Sequence, residues 1–535
     1  MASFMIKAVP RSIGWGLGAA LCGLAVAAAV QAAPSVDLYH EPWRPQFHFT
    51  PPQQWMNDPN GMVYDHGEYH LFYQYHPYSN TWGPMHWGHA LSRDLVHWEH
   101  LPIALYPDVH GTIFSGSAIL DEANTSGFGT KLRPPLVAMY TYNDHLADNL
   151  GKTGFQTQGI AYSIDHGRNW IKYAGNPVLT SPTVRDFRDP KLVWHASTGK
   201  WIVALAVADH VAFYSSPDLK HWAHESDFGA GWGSHAGVWE CPDLIGMNVE
   251  ATGGRRFVLL VSVGKGGPNG GSATQYFVGS FDGHRFTAES ESAATQGIPR
   301  WLDYGPDDYA GVTWSGGPPG DGRRLFLGWM SNWYYAAAVP TERWRGAMTL
   351  PRELQLVSTV RGPELRSQPA AQLAALRERS AEFAAQRVAQ SLELTKALGT
   401  NQGLLELDLE LDTRDAQSLT VSFSNGEGEH VDFVIDKAHH KYVLDRAASG
   451  NTYFSPAFSL VAEAPILGSG AGVSLQAYLD RSSIEIFVNH GESVLTALVF
   501  PNQPYENVSL TTDREVQLQS GSVYTLQSIW NGQAP

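Results

Sequence analysis

Three acidic residues stand at matching places in this sequence: Asp58 in WMNDPNG, Asp189 in FRDP and Glu240 in WECPD. Each lies one or two residues before a proline, at the entry to an apolar run that reads as a strand. Paired carboxylates break a glycosidic bond when one attacks the anomeric carbon and the other, protonated, hands its proton to the leaving oxygen. That division of labour requires pKa values pushed apart by burial and like-charge proximity. Any one of these acids, taken alone, is most simply a strand or turn cap. Three in register, in a chain with aromatic-rich loops, read as a catalytic set.

The register comes from a degenerate repeat over residues 40–355. One phase is an acid and a proline leading into a strand, a turn and a second apolar strand: NDPNGMVYDHGEYHLFYQ, RDPKLVWHASTGKWIVALA and ECPDLIGMNVEATGGRRFVLLVS. The other is an apolar strand, a Ser-Asp turn and an aromatic, ending at Trp98, Trp170, Trp222 and Phe286. These aromatics are 72, 52 and 64 residues apart. Irregular periods of this size, each holding four short strands, predict propeller blades with loop insertions. FSGSAIL and LFLGWMSNW supply strands for further blades, giving five over residues 38–360. A many-stranded sandwich would not repeat the same turn after the same strand. Inner strands of a propeller converge on its axis, so acids at their starts meet in one funnel. Residues 361–390 are Ala-rich, with Leu373, Leu376, Phe383 and Val388 roughly on one helical face, and predict a connecting helix or extended linker. Alternation returns over 391–535, which predicts a β-sandwich. The fold class expected is all-β.

Composition agrees: 53 Gly, 32 Pro, 18 Trp and a net charge of −16 on a chain that is only 16% charged. An acidic chain repels phosphate, which argues against nucleic acid and anionic membranes as partners and suits a neutral carbohydrate. Residues 1–32 predict a cleaved secretory signal, with Lys7 and Arg11, an apolar run from Ile13 to Val30 and small residues at the end. A secreted protein, extracellular or periplasmic, is therefore expected. Cys22 leaves with the signal, so Cys241 is the remaining thiol and no intrachain disulfide can form.

The same motifs resemble glycoside hydrolase family 32, the invertase, levanase and inulinase family. WGPMHWGHALSRDLVHWEH, IFSGSA, WLDYGPDDYAGVTW, GWMSNW, PTERWRGAMTLPREL and YLDRSSIEIFVNHGE extend the likeness over nearly all of the mature chain. The resemblance implies a five-bladed β-propeller followed by a β-sandwich. It implies Asp58 as nucleophile, Glu240 as general acid and base, and Asp189 as transition-state stabiliser. Trp55, Asn57, Gln74, Trp82, Phe114, Ser115, Arg188 and Trp333 match positions lining the family's terminal-fructose pocket. Arg188 beside Asp189 is expected to keep that acid ionised. Cys241, with no evident base, is expected to pack beside Glu240 and tune it.

The activity this implies is release of terminal fructose from levan or inulin, with sucrose hydrolysed as well. Alternatives are an invertase acting mainly on sucrose, a fructosyltransferase, and a carbohydrate-binding protein without catalysis, which would have no use for the three acids. No cofactor is expected. His86 with His89, or His66 with His70, make no recognisable metal set with Cys or acids, so no catalytic metal is expected either. The Gly-rich GKGGPNGGS lacks phosphate-loop spacing and reads as a strand connection.

Overall fold

The computed structural model describes residues 38–250, 252–289, 297–468 and 470–530; the expected signal at 1–32 lies outside them. Runs such as KWIVALAV and RRFVLLVSV are too apolar for a one-faced strand, and each sits inside a sheet covered on both sides.

Five antiparallel sheets stand around a common axis, and their innermost strands are Gln54–Asp65, Thr112–Leu120, Phe187–His195, Trp239–Glu250 and Tyr309–Thr313. These belong to blades 1 to 5 of the propeller. Blade 1 continues outward through Glu68–His76, His86–Ser92 and Glu99–Leu105, and the other blades follow the same meander. Trp344–Arg345, from a connection within blade 5, pairs in parallel with Gln54–Trp55 and ties the last blade to the first.

The repeated Ser-Asp turn joins the third strand of a blade to its fourth. Asp94 Oδ1 accepts from Ser92 Oγ (3.0 Å) and from the amides of Val96 (2.9 Å) and His97 (2.8 Å). Asp218 does the same with Ser216 (3.2 Å), Lys220 (3.0 Å) and His221 (2.9 Å). One carboxylate caps several amides that the turn would otherwise leave unpaired, which is why the motif recurs.

Every innermost strand is interrupted by a bulge near its start, between Asn57 and Pro59, Ile113 and Gly116, Arg188 and Lys191, Glu240 and Asp243, and Tyr309 and Val312. At three of them a non-glycine residue takes positive φ: Asp189 (62°), Cys241 (46°) and Ala310 (54°). A bulge re-aims a side chain that regular pleating would direct elsewhere.

The stretch expected as linker or helix is mostly strand. Gly362–Pro369 is the outer strand of blade 5, paired with Arg352–Thr359. Ala371–Leu376 is a short 3-10 turn burying Leu373 and Leu376, and Arg377–Phe383 and Gln386–Val388 pair with Val516–Leu526 in the sandwich. Strand partners override the helical propensity of the alanines. Arg377 then fixes the strand by a two-pronged bond to Glu406 (2.7 and 2.6 Å) while stacking on Tyr524. The sandwich thus takes its first strand at Arg377, ahead of residue 391. Its two sheets alternate buried and outward residues, as in SLTVSFS and HVDFVID, around Leu407, Val421, Phe433, Leu475 and Ile486.

Charge joins propeller to sandwich. Arg352, without exposed surface, contacts Asp303 (3.0 Å), Asp308 (3.1 Å) and Glu485 (2.5 Å). His48 lies between Asp480 (2.7 Å) and Glu485 (3.0 Å), and these two carboxylates hold its imidazole up at about 9 in spite of burial. Because its folded value exceeds the unfolded value, this contribution is complete below about 6.5 and is lost as pH rises through about 9. Denaturant titrations from pH 6.5 to 9.5 are expected to show a loss on the order of 3 kcal/mol. His48→Gln should be less stable at pH 6.5 and nearly flat over that range; an unchanged slope would reject the assignment.

Candidate active site

Asp58, Asp189 and Glu240 come from the starts of the innermost strands of blades 1, 3 and 4, the position the sequence assigned them. Asp58 is buried. Its Oδ1 accepts from Asn57 Nδ2 (2.9 Å) and its Oδ2 from Ser115 Oγ (2.8 Å) on the neighbouring blade. Asn57 is itself fixed by the indole N–H of Trp55 (2.7 Å). Burial raises the Asp58 carboxyl above its ordinary range and the charge of Glu240 adds to this, while Asn57 and Ser115 oppose it.

Glu240 is held on both oxygens. Arg188 donates to Oε1 through Nε (3.2 Å) and Nη2 (3.0 Å), and the Tyr309 hydroxyl donates to Oε2. Arg188 also reaches Asp186 (2.6 Å) and Gln156 (3.3 Å), which orient the guanidinium. Its nearest approach to Asp189 is 3.9 Å. Arg188 thus pairs with Asp189 by charge and lowers its carboxyl in the expected direction, while its hydrogen bonds go to Glu240, Asp186 and Gln156. Burial pushes Asp189 up to about 7 against the pull of Arg188, with Glu240 and Asp58 reinforcing the rise.

Cys241 also departs from expectation. Its Sγ lies 3.7 Å from Oδ2 of both Asp58 and Asp189, and its amide donates to Asp189 (3.1 Å). Burial and the surrounding acids drive its thiol well above the ordinary value, so a neutral S–H separates the two aspartates. Its hydrogen bonds go to them, with Glu240 acting on it through charge.

Of the remaining expected residues, Gln74 is buried opposite Asn57, with its Nε2 unpartnered among the described residues. Trp82 is 42% exposed and packs edge-on against Phe114, which marks the rim. Trp333 stacks on Trp55 at 6.1 Å. Trp55 itself has no exposed surface, so the contact with substrate expected of it is replaced by support of Asn57 and Trp333. Gly264, from the loop that mimicked a phosphate site, lies where a Cβ would sit 3.5 Å from Glu240 Oε2. A methyl group there would make ordinary contact with the acid, which places this loop beside Glu240.

One layer below the acids the channel is filled. Lys191 of blade 3 pairs with Asp243 of blade 4 (3.0 Å) and donates to the Thr313 carbonyl of blade 5 (2.6 Å). Blades 3 and 5 are not neighbours, so this bond crosses the axis.

Three carboxylates gathered at the starts of the innermost strands of one propeller are an arrangement that could cleave a glycosidic bond. Residues 48–369 match the Glycosyl hydrolases family 32 N-terminal domain and residues 372–525 the Glycosyl hydrolases family 32 C terminal. The chain belongs to this family. It is 45% identical to a levanase of Bacillus subtilis over 512 residues, covering 95% of this chain and 74% of the relative. It is 37% identical to an extracellular exo-inulinase of Aspergillus awamori over 521 residues, covering 92% of this chain and 96% of the relative. The crystal structure of the Aspergillus awamori exo-inulinase superposes with a TM-score of 0.82 at 35% identity, covering 92% of this chain and all of that one.

Tyr309 was not singled out from sequence, although WLDYGPDDYAGVTW contains it. Tyr309→Phe removes one of the donors that orient Glu240 without touching the Asp58 side. It is expected to lower kcat roughly ten- to hundredfold with KM changed little. A rise in KM at constant kcat would make Tyr309 a substrate contact instead.

Proposed function

We propose that the protein is an exported, exo-acting β-fructan hydrolase that removes terminal fructose from levan or inulin and also hydrolyses sucrose. The observation that carries this reading is the pairing of a doubly donated Asp58 with a separately held Glu240 above a blocked axis. The levanase and exo-inulinase relatives supply the substrate class.

In the first step an Asp58 oxygen attacks the anomeric carbon of the terminal fructosyl unit, and the bond to the leaving oxygen breaks as Glu240 gives it a proton. The product is a fructosyl ester on Asp58. Glu240, now a carboxylate, takes a proton from a water that attacks the same carbon and frees Asp58, with net retention of configuration. Asp189 binds ring hydroxyls and stabilises the positive charge that develops on the ring. Asn57 and Ser115 keep Asp58 in one orientation, so little rearrangement accompanies attack.

The blocked axis supports this exo mode of attack. With Lys191, Asp243 and Thr313 across the channel, a polymer cannot thread through, which suits entry of a chain end at Asp58. Asn57, Gln74, Ser115 and Asp189 then favour a terminal ring, since a further substituted ring would leave buried polar groups unpaired.

Asp58→Asn should reduce turnover by several orders of magnitude, because an amide cannot form the ester. Wild-type rates in a folded variant would remove Asp58 from this role. Glu240→Gln should cripple natural linkages but cost less in fructosylation by substrates with very good leaving groups. Chromatography of levan and inulin digests should show fructose from the earliest times; early oligomers of intermediate size would overturn the exo reading.

A further inference from the structure

The tripeptide Asp-His-Gly occurs twice, at Asp65-His66-Gly67 and Asp165-His166-Gly167. The first is the tight turn between the two inner strands of blade 1, where Asp65 pairs with Glu68 across two residues. The second belongs to the Ser-Asp turn of blade 2. Both histidines take positive φ, 47° at His66 and 59° at His166. Asn or Gly adopts that conformation more readily than His, so the ring is placed there at some conformational cost.

The fold brings the two turns together on one carboxylate. Asp65 Oδ1 lies 2.5 Å from His66 Nδ1, and Oδ2 lies 2.8 Å from His166 Nδ1. The ring centroids are 4.5 Å apart and nearly perpendicular, and the three donor atoms all fall within 4.8 Å of one another. The Asp65 side chain is 2% exposed, while His66 and His166 are 66% and 60% exposed. A buried carboxylate thus presents itself outward between two rings that solvent can reach.

We propose that Asp65, His66 and His166 form a binding site for a divalent d-block cation, zinc being the best match. Two imidazole nitrogens and one carboxylate oxygen suit zinc, nickel or cobalt, whereas calcium and magnesium take oxygen ligands. Three protein ligands leave a fourth position for water on the open side. Tetrahedral zinc needs donor atoms about 3.3 Å apart, given metal–ligand distances of about 2.0–2.1 Å. Each nitrogen therefore moves less than about 1 Å away from the carboxylate, while the two nitrogens, within 4.8 Å of one another, close to the same spacing, motions that exposed rings allow.

The nearby cations are already engaged. Arg168 pairs with Glu68 (2.6 Å), and Arg93 pairs with the other oxygen of the same Glu68 (2.7 Å). Buried His70, beside Gly167, turns its Nδ1 to His89 (3.0 Å). Asp65 is seven residues along the strand from Asp58, roughly 20 Å at about 3.3 Å per residue. The bound metal is a staple between blades 1 and 2, separate from catalysis.

The test uses the full chain free of any affinity tag, stripped with EDTA and dialysed, then titrated with ZnCl2 by calorimetry and thermal denaturation. One Zn2+ per chain and a Tm rise of roughly 2 °C at a hundredfold excess over Kd are expected. MgCl2 should give no shift. The double variant His66→Ala/His166→Ala, altered at two surface rings, should bind at least tenfold more weakly and lose the shift. No saturable binding, or a shift that survives in the double variant because zinc sits on another pair such as His221 and Asp218, would overturn the proposal.

Discussion

Holding three carboxylates in one desolvated channel is the constraint from which the rest of this architecture follows. Each acid loses hydration and each repels the other two, so every oxygen needs a donor from the protein. The donors come from different blades: Ser115 for Asp58, Arg188 and Tyr309 for Glu240, the Cys241 amide for Asp189. No single strand could supply them. The ring of five innermost strands, with a bulge in each, is what brings these short side chains together from residues far apart in sequence.

The sandwich bears on the same site through three consecutive residues. Asp307 takes Arg446 of the sandwich (2.7 Å), Asp308 takes Arg352, and Tyr309 donates to Glu240. The interdomain contact at Asp307 is therefore two residues from the group that orients the acid. Burial pushes Asp308 up to about 8 even beside Arg352, which reflects how dry the junction is. Removing one partner of such a network leaves an unpaired buried charge, a far larger loss than at a surface ion pair. Blade 5 and the sandwich are expected to unfold together.

Much of this was legible in the sequence because it repeats. The Ser-Asp turn gives each blade its boundary, and the acid-proline motifs give each innermost strand its start, so Asp58, Asp189 and Glu240 could be placed by counting. Neighbours in sequence also told: Asn57 beside Asp58 became its donor. What sequence hid are relations between non-neighbours. Tyr309 meets Glu240 from 69 residues away, and the motif WLDYGPDDYAGVTW around it does not say which acid it faces. Arg188 adjoins Asp189 and stays within 3.9 Å of it, but gives its hydrogen bonds to Glu240, 52 residues on. The alanine-rich stretch at 370–382 misled because propensity counts for little where a sheet edge waits for a strand.

The bond from Lys191 to the Thr313 carbonyl crosses the axis beyond the acids and closes that way out of the site. On the proposed reading, the sugar released from a fructan lies underneath the shortened polymer, with the Lys191–Asp243 pair beneath it. It has no rear exit. The chain must withdraw before fructose can escape, and a new encounter must precede the next cut. Such an enzyme is obliged to be distributive, trimming many chains by one unit each rather than consuming one chain to its end. Accumulated fructose would occupy the same site and compete directly with incoming ends.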